Sequence, residues 1–366
     1  GFLDFVVPGK ESKLYIIRNN SLETELDLSG LVVNSVAIGN LDNDVDLEIV
    51  FGEGGKDISS YNNKIYAVNY DGSSVEGYPI ELDGKINYGS ILLDANEDGK
   101  DEVVVSNGDD IYLIENGIES KIFECGSNIE APLTASNYNN KKLILFGCGA
   151  YLHGIDEEGL DVLAISLEGS ELATEVTILK DDAYNYLLFG TKDDKMHLIE
   201  LSGNYVSGWP KILDSEPFSA STYDFDNNSL VDIIWTDGSY LHLCISENSI
   251  GDCSNLLSIE SDSIILGPAT LEDVDNDNDV EIIFLTQSTL EIFDYKNTAS
   301  SYSYWSIYRG NKRRTGFYNE SQTFGCPSME ACNYNDESNS ECKNSGLDCY
   351  DDGSCLFNDE CNVCGG

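Results

Sequence analysis

Four stretches of this chain set oxygen-bearing side chains at alternate positions of a short loop and then run straight into an apolar strand. Numbering each loop from its first such residue, positions one, three, five and nine are Asn40, Asp42, Asp44 and Glu48 in the first stretch. They are Asp94, Asn96, Asp98 and Glu102 in the second, Asp224, Asp226, Asn228 and Asp232 in the third, and Asp273, Asp275, Asp277 and Glu281 in the fourth. Alternate side chains converge on one point when a loop curls, and a hard cation such as Ca²⁺ takes roughly six to eight oxygen ligands. Position six must permit the sharp bend, which Gly99 does, because glycine adopts positive φ at little cost. The residue at position seven adds a backbone carbonyl, and the ninth ties the ion to the following strand. Mg²⁺ suits such loops less well, since it holds its waters and demands octahedral geometry. One acidic loop is an ordinary turn composition, but four in register with a repeat predict about four structural Ca²⁺ sites. Two further loops break the pattern. One offers Asn137 and Asn139 with Leu143 at the ninth place, and the other has Tyr186 there; neither is expected to hold a cation.

The elements that must carry these loops recur along the chain. Apolar runs such as LEIVFGEG (47–54), EVVVSNG (102–108) and DIIWTDG (232–238) are each followed by a turn and a second strand. Aligning the second strands puts Tyr15, Tyr66, Tyr112, His153, His197, His242 and Glu291 in one column, 276 residues in six steps, a mean spacing of 46. Strand–turn–strand units bounded by Gly, Asn and Asp are hairpin signals, and a period of about 40 to 50 points to a β-propeller. The prediction is an all-β fold, a seven-bladed β-propeller over 1–318, with six or eight blades as the alternatives. A small disulfide-rich module follows over 319–366. VEGYP (75–79) and VSGWP (206–210) place Pro79 and Pro210 at sheet edges. GFLDFVV reads as the end of an acidic loop, Gly1 at position six and Asp4 at nine, so both ends read as cuts through a longer chain. The innermost strand of that first blade comes either from preceding sequence, the preferred reading, or from the segment near Ser301–Tyr308.

These acidic loops, with strand–glycine phrases such as IVFG and LLFG, resemble the FG-GAP or VCBS repeat propellers, relatives of the integrin α-subunit head, across about 1–318. The resemblance implies structural Ca²⁺ in loops between the first and second strands of some blades, and roles in adhesion and recognition outside the cell. The tail phrases ACNYN, DDGSC and DECNVCGG resemble short Cys-rich repeats of large secreted bacterial surface proteins.

Composition narrows the partners. Sixty-six acidic against 20 basic residues give a net charge of −46. That argues against nucleic acid, bound through Lys and Arg on phosphates, and against anionic membrane surfaces. No apolar run approaches the roughly 18 to 20 residues of a membrane span, so no direct membrane insertion is expected. Eleven cysteines, seven of them from Cys326 to Cys364, indicate an oxidising, extracellular or cell-surface location. Cys244 with Cys253 and Cys125 with Cys148 are candidate pairs. The tail, poor in apolar residues, requires disulfides rather than zinc, and its odd count leaves one cysteine over.

No enzyme is expected. All three histidines fall in the repeat column, where they read as strand residues packing between sheets. No G-x-S-x-G, H-E-x-x-H or P-loop motif is present, and no carboxylate pair stands out as a glycosidase centre. Arg309, Lys312, Arg313 and Arg314 form the one basic cluster. It reads as a closing segment whose Trp305 and Tyr308 pack while the arginines meet acidic loops, or else as a docking patch for an anionic glycan or protein. The expected function is therefore binding, with a protein or glycan of the cell surface or matrix, or copies of this chain, as partner. The alternatives are the propeller of a secreted polysaccharide-cleaving enzyme and a subunit of an extracellular filament.

Overall fold

A computed structural model describes residues 5–9, 12–18, 21–28, 31–42, 44, 46–54, 63–139, 141–180, 185–253, 255–274, 279–296, 305–318, 323–325 and 349–351. Among these no helix is present, and the strands form seven consecutive antiparallel sheets, the blades of a propeller. The aligned column falls on one strand of each blade: Lys13–Arg18, Lys64–Val68, Asp110–Glu115, Tyr151–Asp156, Lys195–Glu200, Tyr240–Ile245 and Leu290–Tyr295. In blades 2 to 7 this is the third strand counted outward from the axis, and the apolar run before it is the second.

Side chains alternate across a strand, so each blade offers one row to the preceding blade and one to the next. Column residues pair across the hairpin with Phe51, Phe146, Phe189 and Trp235. Those four rings are at most 1% exposed, and burying each contributes about 1.5–3 kcal/mol. Rows from adjacent blades meet in six apolar cores, one at each junction from blades 1 and 2 to blades 6 and 7. At the junction of blades 7 and 1 the described apolar residues are more open. Val7, in the register of Phe51, is 43% exposed, and Leu290 and Ile292 of blade 7 are exposed as well.

Blade 1 has three described strands, Phe5–Gly9, Lys13–Arg18 and Ser21–Asp27, which occupy the second to fourth positions. The 305–318 segment does not supply its innermost strand. It lies on the axis instead. The backbone N–H groups of Ile38, Leu92, Ala135, Thr222 and Leu271, from five blades, donate to the carbonyls of Arg313, Thr315, Gly316, Trp305 and Ser306 at 2.8–2.9 Å. Phe317–Tyr318 adds a short parallel strand to blade 4. Residues 301–304 lie outside the described residues.

Pro79 and Pro210 each directly precede a two-residue outermost strand, Ile80–Glu81 and Lys211–Ile212, as edge residues lacking an N–H should. Both expected disulfides form: Cys125–Cys148 joins blades 3 and 4, and Cys244–Cys253 closes a loop in blade 6. Of the tail, only Thr323–Gly325 and Cys349–Asp351 are described, paired in parallel; its disulfides lie outside the described residues.

Candidate functional site

The four acidic loops lie between the first and second strands of blades 2, 3, 6 and 7, and a common hydrogen bond builds each of them. One oxygen of the ninth residue accepts the backbone N–H of position two: Glu48 from Leu41 at 2.6 Å, Glu102 from Ala95 at 2.6 Å, Asp232 from Phe225 at 2.8 Å and Glu281 from Val274 at 2.7 Å. These carboxylates are buried, none more than 3% exposed. The loop is then curled by its own odd-numbered side chains. Asp94 accepts the N–H groups of Asp98 and Gly99, and Asp224 those of Asn228 and Ser229. Position six has positive φ in both, +88° at Gly99 and +69° at Ser229.

The curl gathers carboxylate oxygens. Ligand atoms of Asp42, Asp44 and Glu48 lie within 4.8 Å of one another, and so do those of Asp224, Asp226 and Asp232. In blade 3 the gathered set is Asp98, Glu102 and Glu115. Glu115 ends the third strand, and the loop spacing gave no sign of it; its signal was its place three residues after Tyr112 in the repeat column. Asp294, three after Glu291, joins Asp279 and Glu281 in blade 7 in the same way. There Lys296 contacts Asp279 at 3.1 Å and Asp294 at 2.7 Å. Asp273 is described, whereas Asp275 and Asp277 lie outside the described residues.

The donor set fits a hard cation. Burial away from water pushes Glu48, Glu102 and Asp232 up to about 7, with the neighbouring loop carboxylates adding to the rise. Glu48 Oε1, Glu281 Oε1 and Asn40 Oδ1 are buried without a hydrogen-bond partner, an arrangement that is costly unless something else satisfies them. In blades 3 and 6 the second oxygen is met within the protein, Glu102 Oε1 accepting from Asn96 Nδ2 at 3.1 Å and Asp232 Oδ1 from the Ser246 N–H at 2.7 Å. All-oxygen loops of this kind match Ca²⁺ coordination; the ion would be held by the loop and ninth-position oxygens.

Blades 4 and 5 close the same hairpin differently. Ser136 pairs with Leu143 as Leu93 pairs with Glu102, so Asn137 stands in the place of Asp94 and the loop is two residues shorter. Lys142 Nζ donates to Asn137 Oδ1 at 3.0 Å. In blade 5, Leu179 pairs with Tyr186, which puts Lys180 in the place of Asp94. In blade 4 a tethered ammonium therefore stands against the residue that takes the place of a loop acid, and in blade 5 the register puts a lysine at that place. Between the loops of blades 3, 4 and 5 lies an open recess of about 950 Å³, lined by Asn96, Asn137, Tyr138, Asn139, Lys142 and Lys180 among others.

The basic cluster resolves into separate roles. Arg309 is fully buried on the axis, its guanidinium donating to the carbonyls of Leu133 at 2.6 Å and Ser90 at 2.8 Å. It lies 3.6 Å from Glu175, which also accepts from Trp305 Nε1 and from the Arg309 N–H. Arg314 lies over the Tyr308 ring, and Lys312 contacts Glu272 on the first strand of blade 7. The expected contacts with acidic loops are thus replaced, for Arg309, by a buried pair at the axis.

The histidines sit in the rows between blades. His153, His197 and His242 stack on Phe146, Phe189 and Trp235. His242 also links Ser258 Oγ at 2.8 Å and Asp237 Oδ1 at 2.7 Å. Its Ser–His–Asp composition matches a hydrolase triad, but His197 makes the corresponding pair of bonds to Tyr205 and Thr191. The arrangement is a property of the repeat. Burial holds His197 down to about 4, so its ring is neutral at pH 7.

No protein-family profile matches the chain, and no curated protein matches it. Solved structures do match in fold. BBS1N, crystallised in complex with ARL6DN and soaked with lead, gives a TM-score of 0.56 at 14% identity, over 81% of this chain and 88% of that one. The mercury-soaked form gives 0.54 over the same shares. Sqt1 of Saccharomyces cerevisiae gives 0.55 at 12% identity, over 80% and 82%. At such identities the likeness is one of architecture, and that architecture is the seven-bladed β-propeller.

Proposed function

We propose that this chain is a recognition module of the FG-GAP or VCBS kind, a propeller braced by calcium in the loops of blades 2, 3, 6 and 7. It works outside the cell, binding a protein or glycan of the surface or matrix. The observation that carries this reading is the set of buried oxygens without a hydrogen-bond partner in the loops of blades 2 and 7, headed by Glu48 Oε1; in blades 3 and 6 the gathered carboxylates support it instead. Two facts favour binding over catalysis. The axis, where a propeller could open a deep site, is filled by Trp305 and Arg309. The described recess of blades 3 to 5 is instead open and lined with amides, lysines and the carboxylates of Glu97 and Glu157, a mixed polar lining suited to holding hydroxyls. BBS1N was crystallised with a protein partner, which supports protein recognition on this fold in general terms. The two disulfides support an oxidising compartment.

Thermal unfolding with calcium and with EGTA tests the reading. A ligand bound only by the folded state stabilises it by about 2.7 kcal/mol per site at a hundredfold excess over Kd. The melting temperature should therefore fall by several degrees or more in EGTA. An unchanged melt would remove the calcium assignment.

A further inference from the structure

We propose that the cation loops of blades 2 and 3 form a coupled pair, in which the blade 3 loop presents Asn40 to the ion of blade 2. This rests on the calcium reading above and concerns how two of its sites communicate.

The first residue of the blade 2 loop is held by the neighbouring blade. The Asn40 N–H donates to Asp101 Oδ2 at 2.9 Å, and the Asp101 N–H donates back to the Asn40 carbonyl at 2.6 Å. The Asn40 side chain donates its Nδ2 to the Gly99 carbonyl at 2.7 Å. An amide has donors on one end and an acceptor on the other, so anchoring Nδ2 turns Oδ1 the opposite way. That Oδ1 is buried without a hydrogen-bond partner. The independent sign that the blade 2 loop takes a ligand is Glu48, fully buried with its Oε1 also lacking a partner.

Three features match this arrangement and no other loop has them. Position one is Asn here, whereas the other three loops have Asp94, Asp224 and Asp273; a carboxylate could not donate to Gly99 and would repel its carbonyl. Asp101 is replaced by Lys142 at the corresponding place in blade 4. Gly39 leaves room for the approach, since a Cβ there would lie 2.4 Å from Asp101 Oδ2. On the blade 3 side, Gly99 and Asp101 flank position seven and lie between two loop acids, Asp98 and Glu102. An ion that orders residues 98–102 therefore also orders the atoms that aim Asn40.

Coupling of this kind is a free energy shared by both sites, so it must be reciprocal, and typical values correspond to factors of about 5–150 in affinity. Hydrogen-exchange mass spectrometry on the full chain, titrated with calcium, reads the loops separately through peptides covering 39–50, 93–104 and 224–232. Glu102→Gln should raise the calcium midpoint of the blade 2 loop at least about fivefold, and Glu48→Gln should raise that of the blade 3 loop by the same factor. The blade 6 loop should not move, which also reports that each variant is folded. If Glu102→Gln fails to fold, Asp101→Ala replaces it and should raise the blade 2 midpoint again. An unshifted blade 2 midpoint, or unequal factors in the two directions, overturns the coupling and leaves the calcium reading standing. Absence of calcium-dependent protection in all three loops overturns both.

Discussion

Glu175 and Glu48 are both fully buried carboxylates, and the protein treats them in opposite ways. Glu175, on the axis, accepts the indole N–H of Trp305 and a backbone N–H on Oε1, and its Oε2, though without a hydrogen bond, faces the Arg309 guanidinium at 3.6 Å. Glu48, in the blade 2 loop, meets the Leu41 N–H with one oxygen while the other has no partner. Blade 4 stands between the two, with the Lys142 ammonium on Asn137. The axis carries its countercharge in the chain, and so in part does blade 7 through Lys296, whereas among the described residues no ammonium or guanidinium meets Asp42, Asp44 or Glu48 of the blade 2 loop. The first region should hold together in any buffer, and the second should answer to ions and protons.

The largest effect tests the axis. Removing one partner of a buried ion pair typically costs about 3–5 kcal/mol, because the other charge is left without compensation. Arg309→Met should destabilise the protein by that order in chemical denaturation, with or without calcium. The double variant Arg309→Met/Glu175→Gln should recover much of the loss, since Gln still accepts from Trp305 and from the backbone. A calcium-rescued Arg309→Met protein would erase the distinction between axis and loops.

Much of this contrast was legible in the chain, though unevenly. The acidic loops announced themselves through oxygen side chains at alternate positions, and the column from Tyr15 to Glu291 gave the blade count because a propeller repeats its hairpin. Glu115 escaped because it is distant in sequence from its loop and is brought to Glu102 only by strand pairing. Arg309 escaped for a related reason. Its partners Ser90, Leu133 and Glu175 come from three blades, and nothing local distinguishes an arginine bound for the axis from one bound for the surface. In blade 4 the misplaced register came from a loop shortened by two residues, which a fixed spacing cannot see.

Protons give the second test, smaller in size and confined to the loops. In the metal-free protein Glu48, Glu102 and Asp232 are raised to about 7 by burial, above the ordinary carboxylate values near 4. Groups raised in this way bind protons more tightly folded than unfolded. Their contribution is fully present below about pH 4 and is lost as pH rises through about 7. In EGTA the melting temperature should therefore fall between pH 5 and pH 8, and the triple variant Glu48→Gln/Glu102→Gln/Asp232→Asn should flatten that fall. With calcium the trend should weaken or reverse, because protons then compete with the ion. A pH slope that survives in the triple variant would assign it to the general charge of −46 instead.

The smallest effect concerns the tethered cation. Lys142 is partly buried, donates to Asn137 and lies 5.3 Å from the centre of the Phe317 ring. Exposed and half-exposed charge contacts of this sort contribute about 0–1 kcal/mol. Lys142→Met keeps most of the side-chain packing and removes the charge, so its stability should drop by no more than about 1 kcal/mol. The informative quantity is the difference between calcium and EGTA. If Lys142 stands in for an ion, the drop should be the same in both, because blade 4 has no ninth carboxylate with which to recruit one. A loss that calcium repairs would mean that the Asn137 loop can bind a cation once the ammonium is gone. The shortened hairpin would then be a metal site displaced by its own lysine.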